Sequence, residues 1–327
     1  IDDNDVIQYF FDLQEECFSY GLTSLHDCGI TERTLDRLEK SQSQGKLQMK
    51  IFALLEDNPD YYDRWIKKGR YTNKNITVGG FKVYSDGALG SRGACLIHDY
   101  SDKKDWRGFL LSDRKHFENL AKKLVKSNLQ MATHAIGDSA NRTILQIYGD
   151  VLGTKNDRRW RIEHAQIVDK NDFDLFGKYS IIPSVQPTHA TSDMYWAEDR
   201  LGRDRLKFSY AYEDLLKQSG WLPLGTDFPV EEINPLKTFY SAVARKDSKH
   251  YPENGFQKEN ALTREQAIRG MTIWAAQAAF QENEIGSLEV GKSADFIIVD
   301  QDLMTVPEVK ILDTKVLETF SNGKKVF

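Results

Sequence analysis

Seven short apolar runs alternate with amphipathic stretches along this chain, and that alternation limits its fold more than any other feature. The runs are "LTSLHDCG", "QMKIFALLE", "GGFKVYSDG", "LQMATHAIGD", "RRWRIEHAQIV", "YSIIPSVQPTH" and "GWLPLGTDFPV". Between them lie helical patterns such as "DRKHFENLAKKLVKSN" and "SANRTILQIYGDVLG". Strands and helices alternating at this spacing imply βαβ units and a parallel sheet. Seven strands in sequence suggest an α/β fold of the (β/α)8, TIM-barrel type with strand one absent, and 327 residues suit such a barrel. "LTREQAIRGMTIWAAQAAF" reads as a closing helix, with Thr263 as N-cap and Glu265-Gln266 in its first turn. The texture then changes to short strands with Gly and Asn turns, "GSLEVGKSADFIIVDQDLM" and "VLETFSNGKKVF". The expected division is a barrel over residues 1–283 and part of a small β-sandwich over 284–327. Ile1 is not a methionine, and the chain enters its first helix at once. It is read as a cut edge, with an N-terminal segment of the same protein missing.

Polar residues end four of these strands. Lys82 precedes Asp86-Gly87, His134 precedes Ala-Ile-Gly-Asp138, His164 sits in Ile-Glu-His-Ala, and Asp227 sits in Gly-Thr-Asp-Phe-Pro. In a β/α barrel such residues converge on one mouth, where active sites lie. Imidazole nitrogens and carboxylate oxygens suit Zn²⁺ or a similar divalent ion. Lys82 stands in the middle of an apolar strand pattern, where an ammonium is costly unless paired or chemically altered.

Composition excludes several other classes. The net charge of -5 is mild and no Lys/Arg cluster forms a basic stripe, so no nucleic-acid partner is expected. Cys17, Cys28 and Cys95 are odd in number and far apart, which argues against a disulfide framework. No run approaches the roughly 18 apolar residues of a membrane span. No signal peptide is read; the compartment does not follow from that, and the cytoplasm is the default expectation.

The segments "FKVYSDGALGSRGA", "ATHAIGDSANRTIL", "RRWRIEHAQIV", "LGTDFPVEEINPLKTFYSAVAR" and "EIGSLEVGKSADFIIVD" together resemble the amidohydrolase superfamily. The similarity is greatest to the group of N-substituted formamide deformylases and exoenzyme-regulator-like (YtcJ-like) proteins, and runs from about Leu22 to Phe327. The resemblance implies a deformed (β/α)8 barrel flanked by a β-sandwich, with one or two divalent metal ions, Zn²⁺ expected, at its mouth. It implies that Lys82, carboxylated to a carbamate, bridges two metals, and that His134, His164 and Asp227 are ligands. Asp227 would take a proton from the attacking metal-activated hydroxide and return it to the leaving amine, as general base and then general acid. The activity implied is hydrolysis of a carbon–nitrogen bond in a small amide, N-formyl or N-acyl amine.

One family feature is absent. No His-x-His occurs among the seven histidines, although the family's first strand ends in one. Ser91 and Arg92, beyond Lys82, and His189, at the end of the sixth run, are candidate substrate contacts. Arg92 could equally pair with a loop acid, and His189 could only cap its loop. Tyr195 and Trp196 could line an apolar pocket, and Glu163 reads as a residue supporting the ligands. Three readings follow: an amide hydrolase, a noncatalytic regulatory barrel, and a one-metal deaminase or esterase. A homo-oligomer is left open.

Overall fold

The computed structural model describes residues 2–327. Helix α1 (Asp3–Ser19) leads into β1 (Ser24–Ile30), α2 (Glu32–Ser43), β2 (Lys50–Glu56), α3 (Pro59–Lys68), the short β3 (Tyr71–Asn73) and β4 (Ile76–Tyr84). There follow α4 (Arg114–Leu124), β5 (Gln130–Ala135), α5 (Asp138–Leu152), β6 (Arg161–His164), α6 (Phe173–Tyr179) and β7 (Ile182–Ser184). Helices α7 (Pro187–Asp193), α8 (Ala197–Leu206), α9 (Tyr212–Ser219), α10 (Pro235–Ala244), α11 (Arg264–Met271) and α12 (Ile273–Ala278) come next. Strands β8 (Phe296–Val299), β9 (Val316–Ser321) and β10 (Lys324–Lys325) complete the chain.

The main sheet is a curled, parallel part-barrel in the order β1-β2-β4-β5-β6-β7, with β3 antiparallel on β4. The small sheet is antiparallel, in the order β10-β9-β8. Local chemistry sets the helix starts. Thr31 caps α2 by accepting from the Thr34 N–H at 3.0 Å. Pro59 opens α3 behind an Asn58 cap. Thr263 and Gln266 form a reciprocal capping box on α11. The single closing helix read in the sequence is two helices, because Thr272 leaves helical geometry at φ -128°, ψ -96°.

The seventh run, around Trp221–Val230, narrows to one parallel bridge between Val185 and Leu224. Pro223 and Pro229 remove two ladder donors. The Leu224 N–H donates to the Gly270 carbonyl at 3.0 Å instead of to a strand.

Strand β4 lies at the sheet centre and is buried over its length except at Tyr84. Its approach to β5 leaves no room beside Gly80, where an added Cβ would lie 2.1 Å from the Gln130 carbonyl oxygen. Gly80→Ala should therefore destabilise the protein by about 3 kcal/mol or more, the upper range for overpacking against backbone. Gly225→Ala, in open space, should cost under about 1 kcal/mol, as open sites do. Urea unfolding of both variants checks this; similar midpoints would mean that β4 and β5 can separate without penalty.

Candidate metal centre

Register places the strand-end residues side by side. Lys82 pairs with Ala132 and Tyr84 with His134 across β4 and β5. His134 pairs with Glu163 and Ala135 with His164 across β5 and β6. In a regular strand His164 would face away from the side of Glu163. The alternation breaks there, because His164 has φ +77° and Ala165 φ +41°. The turn brings the His164 ring to 4.5 Å, centroid to centroid, from His134. Asp227 also sits in the left-handed region, at φ +59°. Non-glycine residues rarely adopt that region unless the surroundings enforce it.

His189, in the first turn of α7, completes the cluster. Its ring stacks on His164 at 5.7 Å and 18°, and its Nε2 lies 3.7 Å from Asp227 Oδ2. One ligand atom each from His164, His189 and Asp227 lie within 4.8 Å of one another. The His164 Nδ1–H donates to Gln186 Oε1 at 2.8 Å, which leaves its Nε2 lone pair free. The Nε2 atoms of His134 and His189 are buried without a hydrogen-bond partner among the described residues. Orphaned imidazole nitrogens beside a carboxylate form a donor set that fits a divalent ion such as Zn²⁺.

Electrostatics favours neutral imidazoles. Burial pushes His134 down to about 3, His189 down to about 4, and His164 well below the usual range. A neutral imidazole is the form that binds metal. Asp227 keeps about a third of its side chain exposed, at 36%. Partial enclosure still pushes its carboxyl up to about 6; Lys82 opposes that rise, while Glu163 and Glu231 add to it.

Lys82 is buried at 4% exposure, with its Nζ 4.3 Å from the centre of the Tyr84 ring. Its charge acts on His134, His164 and Asp227 together. On β6, where Glu163 pairs in register with His134, the Arg161 Nε and Glu163 Oε1 form a buried ion pair at 2.7 Å. Arg161 also donates from Nη1 to His26 Nδ1 at 3.0 Å.

Other sequence candidates lie outside the cluster. Arg92 holds Asp102 in a bidentate pair at 3.0 and 2.7 Å, and Asp102 also takes Arg200. Ser91 Oγ donates to the Ala88 carbonyl at 3.1 Å. Trp196 packs beside Gly90, where a Cβ would meet its ring at 3.1 Å. Asp86, given no role in the sequence reading, is a loop anchor beside the cluster: its buried carboxylate accepts from the Cys95, Ile136 and Gly137 N–H groups at 2.8, 3.0 and 2.8 Å, and its Oδ1 lies 3.5 Å from His134 Nε2. A Gly-flanked Asp following a strand is the signal for such an anchor.

The profile described as "Amidohydrolase family" matches residues 2–327. The chain belongs to the amidohydrolase family. This member is 36% identical over 81% of its length to Protein LONG AFTER FAR-RED 3 of Arabidopsis thaliana, covering 46% of that protein. It is 28% identical over 96% of its length to the amidohydrolase-like protein YtcJ of Bacillus subtilis, covering 60%. It is 24% identical over 93% of its length to the N-substituted formamide deformylase of Arthrobacter pascens, covering 57%. The crystal structure of an uncharacterized metal-dependent hydrolase from Pyrococcus horikoshii superposes with a TM-score of 0.84 at 30% identity. That superposition covers 94% of this chain and 62% of the other. The chain thus spans roughly half to three-fifths of the length of these relatives. No helix among the described residues is long and apolar enough to cross a membrane.

Proposed function

We propose that this amidohydrolase chain carries the metal-binding mouth of a hydrolase that cleaves a carbon–nitrogen bond in a small amide, N-formyl or N-acyl amine. The observation that carries the reading is the clustering of ligand atoms of His164, His189 and Asp227 within 4.8 Å of one another, with the His134 ring, its Nε2 unpartnered, packed against His164. The family relation and the similarity to a formamide deformylase and a metal-dependent hydrolase support it.

His134, His164 and Asp227 would hold a divalent ion, with Lys82 facing it. When bound, the ion supplies Lewis acidity for the scissile carbonyl and a nucleophile available near neutral pH. The Asp227 carboxyl, raised to about 6, suits proton transfer near neutrality. It takes a proton from the attacking water and delivers it to the leaving nitrogen, so that amide and water become carboxylic acid and amine. Gln186 fixes the His164 tautomer through Nδ1.

Lys82 serves as a carbamate. Its neutral amine attacks the carbon of carbon dioxide, a C=O electron pair moves to oxygen, and one nitrogen proton leaves to solvent. The product is an anion where an ammonium would repel the ion.

His189 Nε2 lies 3.7 Å from Asp227 Oδ2 and within the same donor group, and its role in this reading is to contact the substrate rather than the ion. His189→Ala should retain the bound ion while lowering kcat/KM by about 10²-fold, the scale of one polar group acting at the transition state. Metal analysis beside kinetics separates the roles, and loss of the ion in this variant would reassign His189 as a ligand. A panel of formamides, dipeptides and esters, assayed on the full-length protein with and without a chelator, tests the reaction class. The expected result is chelator-sensitive hydrolysis of amides; ester-only turnover, or none, contradicts it.

A further inference from the structure

Beside the cluster lies a groove of about 240 Å³, walled by α7, the loop before α10, the middle of α10 and the loop after it. Thr188, adjacent to His189, lines it, as does Glu231, whose charge acts on Asp227. The groove therefore opens from the mouth, not from a separate face.

Its lining is electronegative. Glu231, Glu232 and Asp247 face one ammonium, Lys237, which is already paired with Glu232. The Asp247 carboxylate is occupied as well, accepting from the Tyr195 hydroxyl and the Lys249 and Tyr251 N–H groups. Glu231 has one neutral donor, the Ser192 hydroxyl at 2.6 Å. It is the carboxylate with charge to spare.

Two features point to an organic cation and not a metal. Tyr195, which lines the groove, stacks on Tyr251 at 5.7 Å and 14°, and both residues are more than half exposed. Aromatic faces beside a carboxylate attract ammonium groups. The second feature is Thr188, which is 7% exposed yet has an Oγ1 without a hydrogen-bond partner among the described residues. A buried hydroxyl left unpaired costs free energy unless a ligand satisfies it.

We infer that this groove binds a protonated amine on the substrate, so that the enzyme prefers amides bearing a positively charged group. Glu231 pairs with the ammonium, the tyrosine faces cover its alkyl or aryl carrier, and Thr188 takes a polar atom near the scissile bond. The word substrate rests on the hydrolase reading above; the cation preference does not.

The test uses the full-length, metal-loaded protein. n-Butylammonium, n-butanol and butyrate are titrated calorimetrically into the wild type, Glu231→Gln and Thr188→Val. Matched cationic and neutral N-formyl amines are assayed for hydrolysis alongside. Butylammonium should bind at least about 10-fold tighter than the other two probes, because a hydrogen bond to a charged group is stronger than one between neutral groups. That advantage should fall below about threefold in Glu231→Gln and weaken with added salt. The cationic amide should also carry the higher kcat/KM, with Thr188→Val lowering it for both amides. Equal binding of the three probes, or an advantage untouched by Glu231→Gln, overturns the inference. Selective, Glu231-dependent cation binding without amide hydrolysis would sustain the groove and sink the hydrolase reading. Hydrolysis indifferent to substrate charge would do the reverse.

Discussion

Lys82→Ala is expected to abolish hydrolysis by the full-length, metal-loaded protein, and short carboxylic acids are expected to restore part of it. The side chain stands at the sheet centre, buried, with the Tyr84 ring as its close partner and His134, His164 and Asp227 within electrostatic reach. A permanent ammonium there would repel the ion that the orphaned imidazoles await. A carbamate reverses the sign and supplies two oxygens. The loss should exceed about 10³-fold, because altering even the outer partners of metal ligands typically costs 10–100-fold. Acetate or propionate entering the vacated space supplies a carboxylate in the carbamate's place. Mass spectrometry of the wild type in bicarbonate should show one added carboxyl group on Lys82. An unmodified ammonium in an active, metal-loaded protein would remove Lys82 from this role.

Asp227→Asn should lower kcat by at least about 10²-fold, the lower end of general acid–base catalysis, with the fold intact. The substitution is nearly isosteric and the side chain is partly exposed, so packing changes little. Asn keeps a carbonyl oxygen for the ion but cannot carry a proton from water to the leaving nitrogen. Steady-state kinetics with a formamide, beside a circular dichroism spectrum, checks the claim; normal turnover would take Asp227 out of the proton path.

The strand ends were legible because burial leaves a mark in sequence. Apolar runs interrupted by Lys82, His134 and His164 announce polar groups held where solvent is scarce, and β4, β5 and β6 do carry them side by side. His189 was harder to place. It lies beyond the end of β7, on a short helix, and its stacking on His164 depends on contacts between separate loops. Arg92 and Asp102 are ten positions apart, and their pairing, with Arg200 from α8 on the same acid, depends on long-range loop packing that no periodicity encodes. The left-handed turns at His164 and Asp227 were equally hidden, since neither residue type advertises a positive φ as glycine does. The run around Leu224 looked like a full strand, yet its two prolines and the Leu224 bond to Gly270 leave a single bridge.

The central claim is that His134, His164 and Asp227, with Lys82, hold a divalent ion. Elemental analysis of the purified full-length protein and its His164→Ala variant tests it most directly. The account predicts at least about one tightly held ion per chain in the wild type and loss of about one in the variant, with the His164→Ala chain still folded. A metal-free but active wild type, or a His164→Ala protein with unchanged metal content, would contradict it.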